Sequence, residues 1–589
     1  VATDARSEIR SEAPYYLLNF ERALAWLAAR YDDLLDDEEH AFLDTFATLP
    51  QPSRALLVRM LMRKGTLFRA SRLVYDEIGC PLQAAMPMTS HRWIDSEPAL
   101  SLDDLFALST RAQLLEMFAD AIARIPGAKA LRKPDLLETL RAFYQTESGD
   151  AQACTSRPLA AWHGATTDRV LHVAIAPLCD RLRLMFFGNL HQDWSEFVLA
   201  DLGVFQYEKV AFGPSSRAFQ QRADIDVYLA LHACREALEW LPVDSDSTAL
   251  EELITTVRSI DTSNPWLETR RAKLLFRIGQ DCERREQWDT ALEVYDGCAW
   301  PGARHRRMRV FERSERYGEA LALASQADAA PESEEEAQRV ARMLPRLRRK
   351  CGMPVPRAAG ARPVERATLV LPKPDTPVPV EYVVRDHLCS DAAPVHYVEN
   401  ALINSLFGLL CWEPVFAALP GAFFHPFQRE PADLHAPDFH ARRATQFAAC
   451  FAQLDSGVYR ATILRHLHQK TGMQSPFVFW GLLTPELVAL ALDCLPAAHL
   501  KLWFERLLRD IRGNRSGLPD LIRFWPAERR YELIEVKGPG DRLQDNQSRW
   551  LAYCAQHGMP VRVVDVRWAG QEAQSEADAA PRAEAERVV

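Results

Sequence analysis

The chain has 589 residues, 48% of them hydrophobic and 25% charged, a globular balance that excludes wholesale disorder, collagen-like repetition and a fibrous coiled coil. At roughly 100 to 200 residues per domain, this length implies about three to five domains. The formal net charge of −10 argues against a globally basic nucleic-acid binder and leaves room for local basic surfaces. No run approaches the ~18 uninterrupted apolar residues of a spanning helix, and the start VATDARSEIRSEAP lacks the basic-then-apolar order of a signal peptide. The expectation is a soluble, cytoplasmic protein without a membrane partner, nucleoid-associated if bacterial. The twelve cysteines lie singly with no C-x-x-C pair and read as reduced core thiols. Only ten of the 70 basic residues are lysine, and arginine's planar fork is the better bidentate partner for phosphate.

From Pro14 to about Gln83 the chain reads as helices, with Leu17, Phe20, Leu24 and Leu27 at three- and four-residue spacing. Between Arg54 and Arg72 lie Arg59, Arg63, Lys64 and Arg69 with no acid among them, beside Leu56, Leu57, Met60 and Leu61. This predicts an amphipathic helix whose basic face tracks DNA phosphates, a solvated face being the plainer alternative. From Leu100 to Phe143 two helices flank a basic link, in which Lys129, Arg132 and Lys133 precede Pro134 at a first helical position. That pattern resembles a SAP module, a small helix-extended-helix DNA-binding unit. Further on, ETRRAKLLFRIGQDCERREQWDTALEVYDGC and RHRRMRVFERSERYGEALALASQA resemble degenerate tetratricopeptide hairpins.

Proline then crowds CGMPVPRAAGARPVERATLVLPKPDTPVPVEY, which reads as an extended linker, and QEAQSEADAAPRAEAERVV reads as a disordered tail. The organisation expected is a helical DNA-binding domain at 1–95, a SAP-like module at 96–147 and a helical repeat domain at 148–352. A linker at 353–379, a nuclease domain at 380–568 and the tail at 569–589 follow. The fold class is multidomain: mostly α-helical in the N-terminal two thirds, with a C-terminal α/β domain.

The chemistry concentrates in SGLPDLIRFWPAERRYELIEVKGPGDRLQDNQSRWL. Leu521 to Trp525 predicts a strand, Pro526 to Arg529 a turn, and Tyr531 to Lys537 a returning strand. Alternation puts Glu535 and Lys537 on one face, and the hairpin brings Asp520 opposite the end of the second strand. Asp520 followed by Glu535-Val536-Lys537, with Pro519 in place, is the P-D…(D/E)-x-K signature of a large nuclease superfamily. Phosphodiester hydrolysis needs a divalent cation to polarise the phosphoryl group, and hard oxygen ligands suit Mg²⁺ or Mn²⁺. Lys537 would orient or deprotonate the attacking water and offset developing charge. By itself the triad also fits a salt-bridged surface hairpin. Gly538, Pro539 and Gly540 let the backbone approach a phosphate, Arg542 continues the same edge toward DNA, and Gln544 opens a helix carrying Gln547.

The run VKGPGDRLQDNQSRWL, with GMPVRVVDV closing the core, resembles the VRR-NUC domain. The resemblance makes Asp520, Glu535 and Lys537 catalytic, gives Val536 a metal-bound carbonyl and makes Gln547 an active-site residue. Upstream, HYVENALINSLFGLLCWEPVF places Glu399 at the start of a helix whose Leu402, Leu406 and Leu409 face the core. A glutamate before this leucine-rich block is similar to the first acidic element of the Fanconi-anaemia-associated nuclease family. YYLLNFERALAWL, LLVRMLMRKGTLFR, the SAP-like segment, FFGNLHQDWSEFVLADLGVFQYE and the repeat helices also follow that family's order. The resemblance implies a structure-specific nuclease that cuts 5′ flaps and branched DNA, has 5′-3′ exonuclease activity and acts in interstrand crosslink repair. It also implies two Mg²⁺ or Mn²⁺ ions held by Glu399, Asp520, Glu535 and Val536.

Animal members carry a zinc-bound ubiquitin-binding finger, and this chain has no Cys/His set for one, so ubiquitin recruitment is not carried over and protein partners stay open. The alternatives are a junction-binding scaffold with a vestigial nuclease fold and a Holliday-junction resolvase. The intact Asp520, Glu535, Lys537 and Glu399 favour the structure-selective enzyme over the scaffold. Specificity for branched DNA is expected outside the nuclease core, in Arg59, Arg63, Lys64 and Arg69 and then in Lys129, Arg132 and Lys133.

Overall fold

The computed structural model describes residues 13–148, 156–162, 168–196, 205–242, 247–356 and 364–569. The chain divides into one unit of Val1–Val204, Phe212–Pro214 and Phe219–Ile225 and another of Phe205–Ala211, Ser215–Ala218 and Asp226–Val589.

In the first unit, α1 (Tyr15–Tyr31) buries Leu17, Phe20, Leu24 and Leu27 as their spacing predicts. Helix α2 (Asp37–Thr48) is started by a capping box in which Asp36 Oδ1 accepts from Glu39 N at 2.8 Å and Asp36 N donates to Glu39 Oε2 at 3.1 Å. Helix α3 (Gln51–Leu61) carries Pro52 in its first turn and stops at Leu61. The single basic helix expected to reach Arg72 is therefore not formed. Gly65 turns the chain with φ of 91°, and Leu67–Arg69 becomes strand β1. With β2 (Ile94–Asp95) it flanks β3 (Val170–Val173) in an antiparallel sheet. A partner strand a hundred residues away thus overrides local helical spacing. In the SAP-like segment α4 (Leu102–Leu108), two more short helices and α5 (Lys133–Ser148) enclose a core of Leu105, Phe106, Phe118, Leu136 and Leu140.

The second unit contains α6 (Arg222–Trp240) from Asp226 onward, then two helical hairpins. These are α7 (Pro265–Arg284) with α8 (Trp288–Asp296), and α9 (Ala303–Arg313) with α10 (Tyr317–Ala329), followed by α11 (Glu334–Lys350). The small-aromatic pairing expected of such hairpins is tight: a Cβ on Gly279 would meet the Tyr295 ring at 2.6 Å.

The expected linker holds a strand. β4 (Glu365–Leu371) pairs in parallel with β8 (Val561–Trp568), so the nuclease sheet begins ahead of Val380. The prolines flank ERATLVL and leave its own backbone groups free to pair, while its β-branched and apolar residues suit a pleated surface. After β4 come α12 (Val380–Leu388), β5 (Val395–Tyr397) and α13 (Leu402–Leu410), then α14 (Ala497–Arg509) and the short α15 (Ile511–Asn514). Strands β6 (Leu521–Trp525) and β7 (Arg530–Lys537) precede α16 (Asp545–Gln556) and β8. The sheet order is β4-β8-β7-β6-β5, with β7 parallel to β8 and antiparallel to β6. One face, with Leu521, Ile534, Val536 and Val564, is covered by Val384 of α12.

Arg342 of α11 grips Asp545 at the start of α16 with two bonds of 2.6 and 2.5 Å, and Arg549 donates to Gln338 at 2.7 Å. Among the described residues no single helix is long and apolar enough to cross a bilayer. The expected tail beyond Ala569 lies outside the described residues.

Candidate active site

The β6–β7 register pairs Leu521 with Ile534, so its continuation sets Asp520 opposite Glu535, as the hairpin predicts. Strand β6 ends its ladder there, and the next inward-facing amide of β7, Val536 N–H, donates instead to Asp520 Oδ2 at 2.8 Å. In an extended strand the N–H and C=O of one residue point to the same edge. Leu533 N donates to Pro560 O on the β8 side at 2.9 Å, so Val536 presents its carbonyl to the opposite gap, where Asp520 stands.

Glu535 is completely buried. Lys537 Nζ stands 2.7 Å from its Oε1, and among the described residues Oε2 receives no hydrogen bond. A buried carboxylate with an orphan oxygen is costly unless a cation completes it. Burial and then the Asp520 charge push the proton affinity of Glu535 up, against Lys537. Asp520 is raised chiefly by burial, with Glu381 and Glu399 adding and the Val536 amide and Lys537 opposing.

Glu399 does not start the helix as expected; α13 begins at Leu402. Glu399 occupies a turn with φ of 28°, a conformation unfavourable to a side-chain-bearing residue. Tertiary bonds hold it there. Val398 N and Glu399 N both donate to Asp520 O, at 2.8 and 3.0 Å. Tyr397 Oη donates to Glu399 Oε2, and Asn400 Nδ2 donates to Oε1 at 3.1 Å. Asn400 Oδ1 in turn accepts from Leu518 N at 3.1 Å. Glu381 at the start of α12 is a further acid near this gap that sequence reading missed. The acidic first turn of α12 is ordinary for a helix and gave no signal.

Among the described residues no group of three or more Asp, Glu, His or Cys side chains is placed to hold a metal ion, so Glu399, Asp520 and Glu535 do not stand together as the three-carboxylate set expected. Mg²⁺-like ions are held by one or two carboxylates with water and substrate oxygens filling the rest. Asp520, the orphaned Glu535 and the Val536 carbonyl fit that donor set. Gln547 lies in the first turn of α16, where its Oε1 accepts from Gln544 N at 2.9 Å. Arg542 is exposed on the loop between β7 and α16.

The cations expected to grip DNA differ in state. Arg59 donates to Glu77 at 2.8 Å and packs 4.0 Å from the Tyr16 ring and 4.6 Å from that of Tyr75. Arg69 is 11% exposed and donates to Asp168 at 2.7 Å. These two are structural cations, because acids distant in sequence fold onto them. Arg63 and Lys64 are exposed. Lys129 is also exposed, Arg132 pairs with Asp135 at 3.3 Å, and Lys133 Nζ donates to Ser109 O at 2.9 Å.

A second basic region was not singled out by the sequence. Tyr228, His232 and Arg235 of α6 and Arg270, Lys273 and Arg277 of α7 line a cavity of about 120 Å³. Arg270 lies 4.1 Å from the Trp266 ring and 4.9 Å from that of Tyr228. Glu239 is 3.6 Å from Arg235 and 3.7 Å from Arg277. Burial first, and then Arg277, Arg270, Arg512 and Arg235, lower the proton affinity of Lys273. Arg512 belongs to α15, just ahead of the Asp520 strand. The three- and four-residue spacing of Arg270, Lys273 and Arg277 was the available signal.

Comparison with known proteins matches residues 455–568 to the VRR-NUC domain, 14–95 to the "FAN1, HTH domain" and 99–162 to the Fanconi anemia-associated nuclease SAP domain. The chain is 52% identical over 554 residues to the Fanconi-associated nuclease 1 homolog of Pseudomonas aeruginosa, covering 94% of this chain and 96% of that one. It is 32% identical over 182 residues to human Fanconi-associated nuclease 1, covering 30% of this chain and 18% of that one. The crystal structure of paFAN1 bound to 2nt 5′ flap DNA with gap superimposes with a TM-score of 0.83 at 52% identity, over 95% of this chain and 99% of that one. A second paFAN1 structure, bound to 1nt 5′ flap DNA with gap, gives 0.81, again at 52% identity, over 94% and 99%.

Proposed function

This chain belongs to the Fanconi-associated nuclease family and is a structure-specific DNA nuclease, and we propose that it cuts 5′ flaps and related branched DNA in crosslink repair, using Mg²⁺ or Mn²⁺. The carrying observation is the gap between β6 and β7, where Asp520 meets the Val536 amide and the buried Glu535 carboxylate lacks a donor on Oε2. Asp520, Glu535 and the Val536 carbonyl would hold the divalent ion, and Glu399 would close the site from the β5 turn. When bound, the ion polarises the scissile phosphate and makes water acidic enough to attack at neutral pH.

The protein's own groups do the rest. Lys537 stands beside Glu535, where its ammonium orients the attacking water and offsets charge building on the phosphoryl oxygens. The Gly538–Gly540 backbone admits the strand, and Arg542 lies exposed beside it to meet its phosphates. The α6–α7 pocket supports structure selection. Four cations around a small cavity suit one phosphate of the branched strand, and the catalytic gap reads a phosphate without reading shape. The eleven described cysteines are free, which fits the reducing cytoplasm as the place of action.

The test is cleavage of labelled 5′ flap, fork, four-way junction and plain duplex by purified protein, with and without Mg²⁺. Metal-dependent cutting of the flap well above the duplex is expected. Equal cutting of all substrates would overturn the structure-selective reading.

A further inference from the structure

Helix α11 buries Val340, Met343 and Leu347 in the core of the repeat hairpins, and its opposite face, with Gln338 and Arg342 one turn apart, meets α16. There Arg342 takes both oxygens of Asp545, and Gln338 accepts from Arg549. Glu334, at the start of α11, accepts from the buried Arg506 of α14. Arg506 Nη1 donates in turn to Arg549 O at 3.0 Å, with the Trp550 and Tyr553 rings 4.2 and 4.3 Å from its guanidinium. Together these bonds clasp α16 to the repeats. An exposed ion pair ordinarily contributes little to stability, but a bidentate one fixes orientation as well as distance. What Arg342 orients is the first turn of α16, and that turn bears on the segment leading to Asp520. A Cβ on Gly517, whose φ is 90°, would stand 2.8 Å from the Asn546 carbonyl carbon, and Asn546 Nδ2 donates to Ser516 Oγ at 3.1 Å. Asp520 follows three residues after Gly517. Leu518 N is tied to Asn400, and Asp520 O to the Val398 and Glu399 amides, so a shift of Gly517 reaches both Asp520 and Glu399.

We propose that Arg342 is a positioning residue for the cleavage reaction: by gripping Asp545 it seats the first turn of α16 on Gly517 and so fixes Asp520 in the catalytic gap, without itself touching DNA. The inference rests on the reading of Asp520 as a catalytic group. Close packing at Gly517 leaves no slack between α16 and the segment before β6, so a displacement of the helix is transmitted and not absorbed. Gln547 stands on the same turn and moves with it. The last helix of the repeats is thereby part of what sets the geometry of hydrolysis, and its loss should be felt in the rate of cutting more than in the grip on DNA.

Single-turnover cleavage of a 5′ flap by the full chain, at saturating protein and Mg²⁺, separates rate from affinity, which fluorescence anisotropy in Ca²⁺ reads. Reacting atoms misplaced by about an ångström can cost on the order of a hundred-fold. With the Gln338 and Arg506 bonds still in place, Arg342→Glu and Asp545→Arg are each expected to slow cleavage roughly ten-fold and to leave flap affinity near the parent's. Combining Arg342→Glu with Asp545→Arg rebuilds the pair with its polarity reversed and should recover most of the rate, the non-additivity that marks a direct interaction. Parent-like rates in both single variants overturn the proposal, and so does a loss that the exchange leaves unrecovered. Weakened flap binding with the rate intact also overturns it and assigns Arg342 to the DNA backbone. An Asp520→Ala control that cleaves at the parent rate overturns the catalytic reading, and with it the proposal. Both partners of the pair are half exposed, so the variants should melt close to the parent, and melting curves accompany the series. Arg342→Gln, which removes the grip without adding a like charge, is the second variant and should show the same rate loss without loss of affinity.

Discussion

The cations around α3 and β1 and those facing each other across α6 and α7 look alike in composition and differ in company. In the first unit Arg54 finds Glu21, Arg59 finds Glu77 and Arg69 finds Asp168. In the second, Arg235 and Arg277 share Glu239 while Arg270, Lys273 and Arg512 press on the same space. An acid-free stretch of sequence is thus no measure of free positive charge, since its acids arrive from elsewhere in the chain. Like charges kept together against their repulsion are the better mark of a ligand site. The same criterion picks out the catalytic gap, where, after burial, Asp520 and Glu399 disfavour ionisation of Glu535 and Glu381 and Glu399 disfavour that of Asp520.

The comparison breaks most visibly at the catalytic gap. Asp520→Ala, Glu535→Ala and Lys537→Ala should each slow flap cleavage on the order of a thousand-fold while DNA affinity stays nearly unchanged, as read by single-turnover cleavage and anisotropy. Near-normal turnover in Lys537→Ala would place the chemistry elsewhere. Joint replacement of Lys273 and Arg277 by alanine should lower flap affinity by roughly ten- to a hundred-fold and reduce the log-log salt slope by about 0.9 per lost phosphate contact. The slope of Arg59→Ala should not move. That variant should instead lose about 1–2 kcal/mol of stability in urea, from its ion pair and two ring contacts, and a flattened salt slope there would restore Arg59 to the DNA surface.

Asn400→Ala should cost roughly ten-fold in kcat with KM nearly constant, because it frees Glu399 from its turn without touching DNA. A change confined to KM would assign Asn400 to substrate contact. The smallest effect is on pH. Glu535 is raised in the folded state, so without divalent ions the folded protein binds more protons than the unfolded chain as pH rises from the ordinary carboxylate range toward neutrality. Stability must fall through that window. Urea midpoints of wild type measured against Glu535→Gln should diverge as pH rises and reconverge when Mg²⁺ is added, and a gap that narrows with pH would contradict the buried-carboxylate picture.

Much of the catalytic hairpin was legible in one dimension. The alternation in RYELIEVK and the turn residues after Trp525 set both strands and the register that puts Asp520 opposite Glu535. Glu399 was found by its neighbours in the chain, but its turn was not, because a positive φ in a glutamate is imposed by bonds to Asp520, Tyr397 and Leu518-linked Asn400. Strand β4 hid among prolines for a similar reason: a parallel partner nearly two hundred residues away decides it.

The sequence by itself determined the helical stripes, the repeat hairpins and the P-D…E-x-K chemistry, since these depend on periodicities and residue types that neighbouring positions supply. Tertiary structure alone decided which charges are neutralised and which stand exposed to a ligand. Arg59 and Lys273 carry the same charge in similar local contexts, and Coulomb interactions act through space. Glu77 folded against one and Arg277 and Arg512 against the other make the first a strut and leave the second among like charges.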